Sequence, residues 1–152
     1  MSEKNLDDTN LAIIGLLQQG RRSYNDIAAE LGLSEATIRS RVGKLTAEGV
    51  IQVRALVSPK QMPDGYSVVY IGVQLNTPII METAGELSKL PGVVSVAVVT
   101  GRYDIILTVI LKPGFKLIDF YNEMLQKHSS AIKSNETFVV YEDVNLSLPF
   151  PF

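Results

Sequence analysis

Arg39, Arg41 and Lys44 fall within the stretch ELGLSEATIRSRVGKL, residues 30–45, beside hydroxyl and methyl side chains. At about 100° per residue, Ala36, Thr37, Ser40, Lys44 and Ala47 gather on one side of a helix, with Arg39 and Arg41 on its flanks. Ile38, Val42 and Leu45 make an apolar stripe on the opposite side. A helix face that is small at its centre and cationic around it suits close approach to a flat-edged polyanion. Lysine and arginine then meet phosphates, and short polar or guanidinium side chains meet base edges. Thr37, Ser40 and Arg41 are the base-edge candidates, Lys44 a backbone contact, and Arg39 a flanking cation. Other chemistry is sparse. The absence of cysteine excludes disulfides and thiol catalysis, and His128, the single histidine, argues against a histidine relay or a His-rich metal site. Asp119 and Glu123 stand one helical turn apart, where a solvated helix face is favoured over an acid–base pair. No catalytic residue, metal ligand or cofactor is expected.

The helix that carries these cations needs a defined start and a partner. Ser34 is placed to accept from its first free N–H groups. Gly32 ends the preceding pattern at a position that tolerates left-handed backbone. That preceding helix, YNDIAAEL, has Ser23 and Asp26 in capping-box spacing. Ahead of both, Leu6, Asn10, Ile13, Ile14 and Leu17 trace one helix face, with Asp7 as a cap and Gly20 as the stop. Two short helices joined by a glycine turn, with a third before them, read as a helix-turn-helix whose second helix enters the major groove. After it, QVRALVSP alternates as a short strand or wing carrying Arg54. Residues 1–57 are therefore assigned to a DNA-binding unit of winged-helix-like character.

Charge is divided along the chain. The net charge is −2. Residues 21–60 nevertheless hold seven Lys and Arg against four Asp and Glu, whereas residues 61–152 hold six against nine. A basic binding module joined to a second domain fits that asymmetry. SPKQMPDG is rich in turn formers, and 58–65 is read as the linker.

Beyond the linker the period becomes two. Strands are expected at 66–75, 93–100, 104–111 and 137–146, with helices in IIMETAGELSKL and FKLIDFYNEMLQKH between the outer pairs. The order β-α-β-β-α-β is the ferredoxin-like pattern, so the fold class is α+β, with a second domain over 66–152. Val94, Val96 and Val98 are expected on one sheet face and Val93, Ala97 and Val99 on the other, while Ile105, Leu107 and Val109 oppose Ile106 and Ile110. Two helices cover one face only; the N-terminal module or a long loop could cover the second, but self-association through the sheet is the more economical reading, and a dimer at least is expected. The N-terminal MSEKNLDDTN lacks the order of a secretory signal and no run is long enough to span a bilayer, which points to the cytoplasm.

The succession LDDTNLAIIGLLQQGRRS, DIAAELGLSEATIRSRVGKLTAEGVI and LPGVVSVAVVTGRYDIIL resembles the Lrp/AsnC (feast/famine) transcriptional regulators over nearly the whole length. The resemblance implies a winged or simple helix-turn-helix domain that binds double-stranded DNA, and the residues expected to make that contact are Ser34, Thr37, Arg39, Ser40, Arg41, Lys44 and Arg54. It also implies a C-terminal RAM domain for oligomerisation and amino-acid sensing, with dimers assembling into tetramers or octamers. The effector site it implies is the hairpin Thr100, Gly101, Arg102, Tyr103 and Asp104, with Thr137 contributing from an adjacent dimer. A glycine-led turn offers N–H donors to a carboxylate, and Asp104 an acceptor to an ammonium. The same layout occurs in siroheme decarboxylases, so an enzyme is the first alternative. An architectural protein that wraps DNA with little sequence preference is the second. The apolar end NLSLPFPF is expected to pack on a neighbouring subunit.

Overall fold

The computed structural model describes residues 6–149 and divides the chain into two compact units, Met1–Arg54 and Ala55–Phe152. In the first, α1 (Asp8–Gln18), α2 (Tyr24–Leu31) and α3 (Glu35–Ala47) surround a core of Ile13, Leu16, Ile27, Ala28, Ile38 and Val42. Each start is set by a local acceptor. Asp7 accepts from Asn10 N at 2.7 Å, Ser23 and Asp26 close a reciprocal capping box, and Ser34 accepts from Thr37 N at 3.1 Å. Gly32 ends α2 at φ 65°, a left-handed conformation in which a Cβ would be strained, and Leu33 N closes the turn on Ala28 O at 2.9 Å.

In the second unit, β2 (Ser67–Leu75), β3 (Val93–Val98), β4 (Ile105–Leu111) and β5 (Ile132–Val139) form one antiparallel sheet in the order β3-β4-β2-β5. With α4 (Ile80–Leu87) and α5 (Leu117–His128) this is the β-α-β-β-α-β order, and both helices pack on one face. Val69, Ile71, Val73, Ile105, Leu107 and Val109 meet Leu87, Phe120 and Met124 there.

Four expectations need correction. Of the short strand or wing expected in QVRALVSP, only a short strand is formed. Only Leu56–Val57 (β1) is extended, and it pairs with Leu148–Pro149 (β6) of the second unit, so the first unit ends at Arg54 rather than at 57. Residues 58–65 likewise belong to the second unit. A 3-10 turn spans Pro59–Gln61, Met62 packs with Val68, Ile110 and Leu148, and Lys60 pairs with Glu142 at 2.6 Å. Apolar side chains within a turn-rich stretch hold it to the sheet. The last strand starts at Ile132 and ends at Val139, not 137–146, because the polar run 133–136 pairs with β2 at the sheet edge: Lys133 and Ser134 stand in solvent, while Asn135 and Glu136 accept hydrogen bonds from Tyr121 and Tyr103. Finally, a bulge between Val93 and Ser95 breaks the alternation of β3. Val93 and Val96 both pack on the helix side, and Val94 joins the opposite cluster. That opposite face is partly covered by this chain's own Met62, Tyr66, Leu146 and Leu148. The apolar end therefore packs at home as far as Pro149, and Phe150, Pro151 and Phe152 lie outside the described residues.

Candidate functional site

On α3 the buried positions are Ile38, Val42 and Leu45, which fixes the opposite side outward. Ala36, Ser40, Gly43, Lys44 and Ala47 are all exposed there. Gly43 adds to the small centre: among the described residues, apart from its chain neighbours and its own helix backbone, nothing lies within 4 Å of where its Cβ would be. Its cost in helix propensity, about 1 kcal/mol relative to alanine, is therefore not explained by packing inside the unit. Ser34 and Thr37 are tied to each other at 2.8 Å at the first turn.

Each cation of α3 has a carboxylate within its own unit. Arg39 pairs with Glu35 at 2.5 Å and lies over the Tyr24 ring at 5.4 Å, and Lys44 reaches Glu48 at 3.9 Å. Both cations remain largely exposed, 66% and 58%, so these pairs are weak and phosphate can replace the carboxylates. Arg41 differs. Its Nη1 donates to Asp7 Oδ2 at 2.7 Å and to Asn10 Oδ1 at 3.0 Å, which turns the side chain towards α1 and leaves it 34% exposed. Its hydrogen bond, followed by the Asn10 N–H, holds the Asp7 carboxyl below its ordinary range. Arg54 is exposed after α3.

In the second unit the loop between β3 and β4 carries Thr100, Gly101, Arg102, Tyr103 and Asp104. Gly101 has φ 119°, and Thr100, Gly101 and Arg102 are exposed. Asp104 anchors the loop three times: its N–H donates to Val73 O at 2.9 Å, its carbonyl accepts from Val99 N at 3.0 Å, and Oδ2 accepts from Leu75 N at 2.8 Å. Tyr103 folds over Gly72 of β2 and donates to Glu136 of β5, a bond that raises the phenol above its ordinary pKa. Arg102 pairs with the same carboxylate at 3.0 Å, and Gln74 Nε2 donates to Arg102 O at 2.5 Å. Thr137 is not brought to this hairpin. It pairs with Ile71 in the register, faces the helix side and shares a hydrogen bond with Tyr121, whereas Glu136 pairs with Gly72 on the other face.

Two family descriptions divide the chain at the same place as its fold. Residues 6–46 match the AsnC-type helix-turn-helix domain and residues 68–148 the Lrp/AsnC ligand binding domain. The chain belongs to the Lrp/AsnC family. It is 37% identical over 138 residues to the uncharacterized HTH-type transcriptional regulator PH0140 of Pyrococcus horikoshii, covering 89% of this chain and 85% of that one. It is 37% identical over 123 residues to the HTH-type transcriptional regulator Ptr1 of Methanocaldococcus jannaschii, covering 79% and 82%. In fold it matches the transcriptional regulator NMB0573 of Neisseria meningitidis, solved as a complex with L-Met, at a TM-score of 0.67 and 23% identity, covering 97% of each.

This Lrp/AsnC protein is thus a transcriptional regulator that joins a DNA-binding helix-turn-helix unit to a ligand-binding α+β unit. Asp119 and Glu123 of α5 have other partners: Asp119 accepts from Lys116 N at 2.7 Å and Glu123 pairs with Lys127 at 3.3 Å. Among the described residues no group of three or more His, Asp or Glu is placed to hold a metal, and no helix is long and apolar enough to cross a membrane. Sequence reasoning missed Gly72, Gln74 and Glu136 as partners of the hairpin, and Asp7 and Asn10 as partners of α3. A glycine inside an apolar strand was the available signal for the first group, since it marks close approach of another group. Nothing local marked the second.

Proposed function

We propose that this Lrp/AsnC regulator reads its operator with the outer face of α3 and is modulated by an amino acid held at the Thr100–Asp104 hairpin, as a cytoplasmic homo-oligomer. The observation that carries the DNA reading is that face itself: Ala36, Ser40, Gly43 and Ala47 keep its centre low while Arg39 and Lys44 stand exposed at its margins. Thr37 and Ser40 meet base edges near the helix start, and Lys44, Arg39 and Arg54 meet phosphates. The L-Met bound to NMB0573 supports an amino-acid effector. At the hairpin the exposed Gly101 backbone suits the effector's carboxylate, and the Asp104 oxygen not bonded to Leu75 suits its ammonium. Thr137, turned to the helix face, enters only where a second dimer completes the site.

Footprinting of the region upstream of its own gene, with and without a panel of the twenty amino acids, tests the reading. One amino acid should change the footprint, and Asp104→Asn, which keeps an acceptor for Leu75 N–H, should abolish that response. Lys44→Ala should weaken specific and scrambled duplexes by similar factors and lower the salt slope by about one counterion per subunit. A response that survives Asp104→Asn moves the ammonium contact elsewhere, and unchanged DNA affinity in Lys44→Ala removes α3 from the interface.

A further inference from the structure

Of the three cations on α3, Arg41 alone is drawn off the outer face. It stands about 40° around the helix from the buried Leu45 and about 100° from Ser40. Its Nη1 is shared between Asp7 Oδ2 and Asn10 Oδ1, at 2.7 and 3.0 Å. Asn10 is only 5% exposed, so this oxygen sits at the edge of the core rather than in solvent. Asp7 is occupied on both sides, since Oδ1 caps α1 by accepting from Asn10 N at 2.7 Å while Oδ2 takes the guanidinium. One carboxylate therefore joins the first turn of α1 to the middle of α3.

We propose that Arg41 is a positioning residue for DNA recognition, which acts through Asp7 and Asn10 on the orientation of α3 and does not itself touch DNA. Helices of 11 and 13 residues are too short to hold their geometry unaided, and their relative placement depends on tertiary contacts. The apolar cluster fixes the distance between α1 and α3, and it tolerates small rotations because it is non-directional. A guanidinium held by two oxygens of the first turn of α1 is directional, and it selects one rotation of the outer face. Base-edge contacts need that rotation, whereas contacts to phosphate alone accept several.

The inference rests on α3 being the reading helix, which Lys44→Ala tests separately. The deciding pair is Asp7→Asn and Arg41→Ala, measured in the full chain against the footprinted duplex and a scrambled one at several salt concentrations. Asparagine caps a helix as well as aspartate does, so Asp7→Asn removes the ion pair and keeps α1. Each variant is expected to lose roughly five- to thirtyfold on the specific duplex, with scrambled DNA and the salt slope nearly unchanged. The double variant should lose no more than either single one, because both remove the same interaction. Circular dichroism and unfolding curves should show both singles folded under the binding conditions. Loss in Arg41→Ala with none in Asp7→Asn would overturn the proposal and place the guanidinium on DNA. A fall of about one counterion per subunit in the Arg41→Ala slope would overturn it in favour of a phosphate contact. Equal weakening on both duplexes in proportion to lost stability would reduce the pair to a structural one.

Discussion

The ring of Tyr103 lies directly on Gly72: a Cβ built on Gly72 would meet Tyr103 Cγ and Cδ2 at 2.7 Å. Gly72 is opposite Glu136 in the β2–β5 register, and Glu136 accepts the Tyr103 hydroxyl. Phe138, two residues on, meets the same ring edge-to-face with centroids 6.4 Å apart. The hairpin is thereby folded across β2 and fastened to β5. Its conformation depends on a residue with no side chain.

Gly72→Ala should consequently displace Tyr103 and loosen the hairpin. Forcing a methyl into a filled site costs about 1–3 kcal/mol, so the ligand-binding unit should unfold at lower denaturant. Near-UV circular dichroism should lose tyrosine signal before the unit unfolds. Retention of both the signal and the unfolding midpoint would mean that the ring finds another seat at no cost.

Self-association through the sheet requires a different test from the one the alternation of β3 and β4 suggests. Val96 and Leu107 both belong to the helix-side core, so a glutamate at either position should unfold the unit rather than separate subunits. Ile106 lies on the other face and lines a concavity with Tyr70, Gly72, Tyr103 and Phe138. Ile106→Glu should leave the far-UV spectrum intact and lower the mass measured by light scattering. Native mass in a folded Ile106→Glu variant would remove this face from the subunit contact.

Acid should weaken the helical unit through two capping carboxylates. Asp7 and Asp26 both sit below their ordinary 3.8, Asp7 chiefly through the Arg41 hydrogen bond and Asp26 chiefly through the Ser23 hydroxyl. A carboxyl depressed in the folded state contributes stability above its unfolded pKa, and that contribution is lost as pH falls through the folded value. Urea midpoints of the full chain, followed by helical dichroism, should therefore fall below about pH 4, with Asp26→Asn flattening part of that decline. A midpoint in the native chain that holds steady from pH 5 to pH 2 would show that neither carboxylate contributes.

What the sequence determined by itself was local or periodic. Asp7, Ser23, Asp26, Ser34 and Gly32 act within three or four residues of where they stand, so helix starts and stops were legible from spacing alone. The β-α-β-β-α-β order was legible because apolar alternation survives any particular register. The outer face of α3 followed from its buried stripe. Tertiary structure decided whatever depends on a distant partner. Arg41 lies on the flank of α3 by angle, and only the meeting with Asp7, 34 residues earlier, turns it towards α1. Thr137 and Glu136 are neighbours in the chain, yet pairing with β2 sends them to opposite faces. The bulge at Val93 and Ser95 moved Val94 across the sheet, and pairing with β6 took Leu56 and Val57 into the second unit. Register and long-range ion pairs are set by which surfaces meet, and a side chain's type and spacing carry no record of the partner it will face.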